Sequence, residues 1–155
     1  MRLTIASLAL LFSTLAASAS GGISCTSEGG PVVLELEGGV TRGMGGPLFS
    51  FAGMLTIADT SVAEDLRKTR FELKNVPQYW LDGKALNLLL YKEREGDKPH
   101  GYVEVEVRTE SAGPGTDDEG TFAGTFSVKT FDVVSDAAAE PKEFSASAAI
   151  TCFAE

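Results

Sequence analysis

Apolar and polar residues alternate along most of this chain, with the period of two that is typical of β-strands. In residues 102–110, valines at every second position alternate with mostly polar residues, which predicts a strand with one buried and one solvated face. Residues 85–95 carry apolar side chains on both faces, which is typical of a well-covered strand. Together with a short first strand around Cys25, the pattern predicts about eight strands. The other strand-like stretches are residues 31–37, 48–58, 69–76, 121–134 and 143–153, and residues 78–81 are expected to fold back against the strand that starts at Lys84.

The connections between these stretches are mostly short and rich in turn residues. A turn with glycine, proline and aspartate at residues 96–101 predicts a hairpin between the two strands just described. Asp82 and Gly83 form a dipeptide preferred in two-residue type I′ hairpin loops. Only residues 60–68 look helical, and they predict one turn of helix at most. We therefore expect an all-β domain, an antiparallel up-and-down meander that forms a closed barrel or a barrel-like sandwich.

The two cysteines favour closure of the sheet. Cys25 lies in the first predicted strand and Cys152 in the last. An even number of cysteines in an exported chain predicts a disulfide. In an eight-stranded meander that closes, the start of the first strand and the end of the last are neighbours, so the two ends of the domain can be linked by this bond.

A seven-residue motif occurs twice, as FAGMLTI at residues 51–57 and as FAGTFSV at residues 122–128. With a period of two, the phenylalanine, the glycine and two large apolar residues of each copy share one buried face. A glycine in the middle of a strand is typical of a bulge, a bend or a close approach of a neighbouring strand. We predict that Gly53 and Gly124 mark bends where the sheet curves round, and that the repeat is structural.

The start of the chain has the pattern of a signal peptide. Arg2 precedes a mostly apolar run at residues 3–15, and small residues follow in the A-x-A arrangement that ends at Ala19. We expect residues 1–19 to be removed on export, and residues 20–155 to form a single β domain in the periplasm or outside the cell. No later apolar stretch is long enough to span a bilayer, so we predict no transmembrane segment in the mature chain.

A lipoprotein is the alternative to a freely secreted protein. Lipid attached to Cys25 would anchor the chain to a membrane. The position three residues before this cysteine is Gly22, where a lipidation signal usually has leucine. Lipidation would also leave Cys152 without a disulfide partner, so we favour the unanchored form.

The charge balance is acidic and restricts the class of partner. The chain has 13 lysines and arginines against 22 aspartates and glutamates, a net charge of −9, which becomes −10 when Arg2 is removed. Nucleic acids and anionic membrane surfaces bind basic patches, so we expect neither as a partner.

The chain lacks the residue patterns of common catalytic and cofactor sites. Its single histidine, His100, lies in a turn, and the sequence has no G-x-S-x-G nucleophile motif. The acidic run at residues 117–119 lacks the spacing of a calcium loop, and the glycines at residues 43–46 are not followed by the Lys-Ser/Thr of a phosphate loop. We therefore predict no catalytic residue, no metal and no cofactor.

The aromatic pair Tyr79 and Trp80 is the main candidate for contact with a partner. Trp80 is the only tryptophan in the chain, and the pair lies next to the predicted turn at Asp82. Capping of the core is the simplest role for two such large side chains. Contact with a ligand or a protein partner is the alternative role.

These observations predict an exported, non-catalytic β-protein that acts as a binding or envelope-associated module. A carrier of a small apolar ligand in the barrel lumen is the first alternative, since eight-stranded barrels can enclose one ligand. A hydrolase that uses two carboxylates is the second alternative, and nothing in the sequence favours it. No motif in the chain identifies a family.

Overall fold

The protein folds into one antiparallel sheet that curls around its core as a half-barrel. The computed structural model describes residues 20–41, 47–113, 119–134 and 139–155. The predicted signal peptide, the glycines at 43–46 and most of the acidic run at 117–119 lie outside these ranges. The strands are β1 (Ser20–Ser27), β2 (Val32–Thr41), β3 (Leu48–Ile57), β4 (Lys68–Glu72), β5 (Gln78–Leu81), β6 (Ala85–Glu93), β7 (Gly101–Ser111), β8 (Gly120–Asp132) and β9 (Lys142–Ala154).

The order of the strands places the first and last strands side by side in the middle of the sheet. The order is β4-β3-β2-β1-β9-β8-β7-β6-β5, and each neighbouring pair is antiparallel. The predicted hairpin between β6 and β7 is confirmed, and so is the antiparallel meander. Strands that are consecutive in the chain, β4 and β5, form the two edges.

The predicted closed barrel of eight strands is not confirmed, because no ladder joins β4 to β5 in the part of the chain that the structure describes. Since every pairing is antiparallel, the two edge strands of a nine-strand order run in the same direction. In a closed barrel of eight strands, β4 and β5 would be two parts of one continuous strand. Here β4 pairs with β3 and β5 pairs with β6, and no described pairing joins the two edges. We call the gap between β4 and β5 the seam.

A 3₁₀ helix at Leu73–Asn75 causes this break, where a continuous strand was predicted. The Asn75 side chain accepts a hydrogen bond from the backbone N–H of Glu72 at 3.0 Å and donates one to the carbonyl of Tyr91 at 3.2 Å. Across the same gap, Lys92 Nζ donates to the carbonyl of Arg70 at 2.9 Å. Side chains therefore bridge the seam where backbone pairing is missing.

One face of every long strand packs into a single apolar core. Phe71, Phe122 and Phe126 lie at its centre and are at most 1% exposed. A four-residue helix, α1 (Glu64–Arg67), places Leu66 against this core. No helix in the described ranges is both long and apolar enough to cross a membrane.

The predicted disulfide is confirmed. Cys25 in β1 pairs directly with Cys152 in β9, and their Cα atoms lie 4.0 Å apart. Both side chains are buried in the core. Because the two cysteines are 127 positions apart, the bond joins the two halves of the meander at the middle of the sheet.

The two glycines of the repeated motif lie on the core-facing side of β3 and β8, as their alternation with Phe51 and Phe122 indicates. Pairing runs without interruption past Gly53 and Gly124, so neither forms a bulge, and the irregular pairing of β2 with β3 lies next to Gly38 instead. A side chain at Gly124 would meet backbone atoms of β7. Close approach of a neighbouring strand therefore explains Gly124, and the bend at each glycine stays a prediction.

Candidate functional site

The two aromatic residues singled out in the sequence lie on opposite sides of β5, because successive residues of a strand face opposite ways. Tyr79 lies opposite Leu88 and packs against the core. Trp80 lies opposite Asn87 on the outer face of the sheet, and 61% of it is exposed. The structure thus separates the pair and leaves Trp80 as the candidate contact residue.

The turn after β5 fixes the position of the Trp80 ring. Its indole Nε1 donates to Asp82 Oδ2 at 3.1 Å. The other carboxylate oxygen, Oδ1, accepts the backbone N–H groups of Lys84 and Ala85 at 2.8 and 2.9 Å. These backbone hydrogen bonds, assisted by the Trp80 bond, lower the pKa of Asp82. The ionised carboxylate therefore ties the indole to the turn.

This turn is not the type I′ loop that the sequence predicted. β5 ends at Leu81 and β6 begins at Ala85, so three residues connect the strands instead of two. A type I′ turn needs a positive φ at both central residues, and neither Asp82 nor Gly83 has one. The Asp82 side chain accepts the N–H groups that a type I′ turn would direct elsewhere, which makes this an Asx-type turn.

A groove of about 630 Å³ runs beside Trp80 across the outer face of β5, β6 and β7. Four polar side chains with planar ends line it together with several apolar residues, of which Leu89 alternates with the core leucines of β6. We use the name Trp80 groove for Trp80 and the five side chains beside it on this face. They are Gln78, Asn87, Leu89, Glu106 and Arg108.

The polar groups of the Trp80 groove have unused hydrogen-bonding capacity. Asn87 Oδ1 accepts the backbone N–H of Thr109 at 3.2 Å, which leaves the two amide protons of its Nδ2 free. Arg108 donates from Nε and Nη2 to Glu106 Oε1 at 2.8 and 2.6 Å. Glu106 Oε2 and Arg108 Nη1 make no hydrogen bond to any other described residue. Donors and acceptors therefore surround one exposed aromatic ring.

A second group of aromatic rings lies further along the same outer face, and we call it the aromatic row. The Tyr91 and Tyr102 ring centroids are 5.5 Å apart, and the Tyr102 and Phe131 rings stack at 5.6 Å. His100 lies 6.0 Å from both Tyr102 and Phe131. Burial raises the pKa of Tyr91, and so does the hydrogen bond that its hydroxyl donates to Glu93 at 2.9 Å. The lone histidine of the sequence is thus part of an aromatic cluster.

An ion-pair network around the buried side chain of Arg94 holds the end of the half-barrel near the seam. The Arg94 guanidinium is 6% exposed and contacts Asp65 of α1 at 2.6 Å and Asp132 of β8 at 2.8 Å. It also donates to the carbonyl of Pro99 at 2.9 Å. Burial alone would raise the pKa of Asp65, but Arg94 and the nearby Lys98 lower it. This network joins three separate elements and is structural.

Metal-ligating side chains do not cluster in the described ranges: no group of three or more histidine, cysteine, aspartate or glutamate residues is placed to hold an ion. The single histidine faces aromatic rings, and both cysteines are bonded to each other. The Trp80 groove is the candidate site because an exposed aromatic ring and polar groups with unused hydrogen-bonding capacity share one face there.

Comparison with protein-family models, with curated proteins and with solved structures finds no match to this chain.

Sequence reasoning found Trp80 but missed its neighbours. Asn87 and Leu89 alternate with core leucines in β6, and Glu106 and Arg108 alternate with core valines in β7, so the period of two does place them on an outer face. Their meeting beside Trp80 depends on the register of three strands, which the alternation does not give.

Proposed function

We propose that this protein is an exported, non-catalytic binding module, and that its binding site is the Trp80 groove. The observation that supports this proposal is the 61% exposure of Trp80 on a groove with unused hydrogen-bonding groups. Leaving so large an aromatic side chain in water forgoes the burial that it would gain in a core. Exposed aromatic side chains beside polar groups are typical of binding surfaces.

Export is supported by the disulfide and by the signal-peptide pattern of residues 1–19. Disulfides persist in oxidising compartments and are rare in the cytosol. The bond between Cys25 and Cys152 is consistent with a protein that works in the periplasm or outside the cell. This bond also disfavours the lipid-anchored alternative, because it uses the cysteine that would carry the lipid.

The carrier alternative loses its main support. A carrier needs a lumen, and the inward side chains that would line it pack against one another. Phe71, Phe122 and Phe126 are among them and are at most 1% exposed. Binding on the outer face requires no such lumen.

The hydrolase alternative needs two carboxylates that face each other across a substrate. Among the described residues that line the Trp80 groove, Glu106 is the one carboxylate, and Arg108 holds it in an ion pair at 2.6 Å. Binding without chemistry is therefore the function that this groove supports best.

The single tryptophan makes the proposal directly measurable, because all indole fluorescence comes from the proposed site. We expect a saturable change in Trp80 emission with at least one ligand class from a panel of oligosaccharides, extended peptides and fatty acids. Calorimetry should show that Trp80→Ala binds the same ligand about tenfold or more weakly than the wild type. Phe153→Ala is the matched control, since Phe153 is 47% exposed on β9, away from the groove. The proposal is wrong if no class binds, or if Trp80→Ala binds as well as the wild type.

A further inference from the structure

The ring of Trp80 presents an apolar face and no free polar atom. Its indole N–H is already bonded to Asp82, and Asp82 is held by two backbone N–H groups. A ligand that contacts the exposed ring therefore meets a flat, fixed, electron-rich surface. Such a surface suits a ligand with a face of C–H groups of about the same size as the ring.

The groups around the ring suit a ligand rich in hydroxyls. A hydroxyl both donates and accepts a hydrogen bond, so neighbouring hydroxyls are best matched by donors and acceptors in the same plane. The Trp80 groove offers both kinds: the amide of Gln78, the free Nδ2 of Asn87, and the unused atoms of the Glu106–Arg108 pair. A pyranose ring combines a C–H face with a rim of hydroxyls.

The charges of the protein select against anionic ligands. Arg108 Nη2 lies 2.6 Å from Glu106 Oε1, so these two charges neutralise each other. On the neighbouring part of the same face, Lys129 Nζ lies 3.9 Å from Glu104 Oε1. The protein as a whole carries a net charge of −9, which repels anionic polymers. An uncharged ligand meets no such repulsion.

An extended peptide fits the same region less well. A peptide would add a strand to the free edge of β5, but that strand has four residues and follows Pro77, which has no N–H to donate. The unused hydrogen-bonding groups lie on the face of the sheet, not along this edge.

From these four observations we infer that the Trp80 groove binds an uncharged glycan, with Trp80 stacked on one sugar ring. The inference rests on the proposed function and names its ligand class. Tyr91 lies four residues beyond Asn87 along β6, about 13 Å at the usual rise per residue. The aromatic row that begins at Tyr91 thus provides a second contact for a chain of several sugars.

The test uses hexasaccharides of glucose, mannose and N-acetylglucosamine, with Trp80 emission and calorimetry as readouts. We expect at least one hexasaccharide to bind, and the corresponding monosaccharide to bind more weakly. Trp80→Ala should weaken binding about tenfold or more, while Trp80→Phe should retain part of the affinity. Asn87→Ala should cost about fivefold, the usual effect of one lost hydrogen bond.

The control variant Phe153→Ala should bind like the wild type, and circular dichroism and thermal melting should show that every variant is folded. A heparin hexasaccharide, palmitate and a Val/Thr-rich decapeptide complete the panel. If one of these three binds at Trp80 and no uncharged hexasaccharide does, the glycan inference is overturned and the binding module remains. If nothing binds, both fail. A hexasaccharide that binds Trp80→Ala as tightly as the wild type also overturns the inference.

Discussion

Gly53 and Gly124 occupy the same position in two copies of one motif, yet the structure predicts different costs for replacing each with alanine. A Cβ atom at Gly124 would lie 2.1 Å from the carbonyl oxygen of Arg108 and 2.8 Å from the Cα of Thr109, which are backbone atoms of β7. A Cβ atom at Gly53 would lie 2.7 Å from Cδ2 of Leu36, the mobile end of a side chain. Comparing the stabilities of the two alanine variants tests whether glycine is required by the close approach of β7 at Gly124 or by a property that both copies of the motif share.

The magnitude follows from what has to move. At Gly124, the carbonyl of Arg108 must retreat by about 0.9 Å to reach the 3.0 Å that Cβ contacts respect, which strains the ladder between β7 and β8. Overpacking costs about 1–3 kcal/mol, and each weakened ladder hydrogen bond adds about 1 kcal/mol. Alanine restricts the unfolded chain more than glycine does, and this effect alone stabilises the folded state by about 0.4–1 kcal/mol. We expect Gly124→Ala to lower the free energy of unfolding by about 3 kcal/mol.

At Gly53, a rotation of the Leu36 side chain relieves the contact, at a cost of about 0.5–1.5 kcal/mol. The same gain from the unfolded chain offsets most of this cost. Gly53→Ala should therefore lie within about 1 kcal/mol of the wild type. Gly113→Ala serves as the control, because a Cβ atom there meets no atom within 4 Å.

The assay is urea and thermal unfolding followed by circular dichroism, with the disulfide intact in each variant. For a domain of this size, 3 kcal/mol corresponds to a fall in Tm of about 10 °C or more. The reasoning fails if Gly124→Ala melts with the wild type, or if the two motif variants lose equal stability. Equal losses would mean that the glycines serve a shared property such as strand bending.

Two further predictions concern the ties between distant parts of the chain. Because the folded-state pKa of Asp65 lies below its unfolded value, its bond to Arg94 stabilises the fold above about pH 4 and is lost as the pH falls. Asp65→Asn should cost about 1–2 kcal/mol at pH 7 and flatten the loss of stability between pH 5 and 3, and an unchanged pH profile in urea unfolding would contradict this. Replacing Cys25 and Cys152 by serine should cost about 3–5 kcal/mol, and a variant as stable as the oxidised wild type would refute the role of the disulfide.

The pattern of the sequence was sufficient for the features that follow from strand alternation, although it did not predict the 3₁₀ helix at Leu73–Asn75 or the turn at Asp82. The period of two in β7 arises because successive side chains of a strand face opposite ways, so it identified Val103, Val105 and Val107 as core residues. Short turns and the lack of a long helix implied an antiparallel meander, and two cysteines in the end strands implied their bond.

Only the tertiary structure decided where the ladder of the sheet ends and which side chains meet on its outer face. The seam depends on Asn75, whose side chain bonds to the carbonyl of Tyr91, 16 positions away. The Trp80 groove depends on the register that brings Asn87 and Arg108 beside an indole tied to a turn. Alternation fixes the face of a residue but not its partner across the sheet, because register is set by the packing of all the strands together.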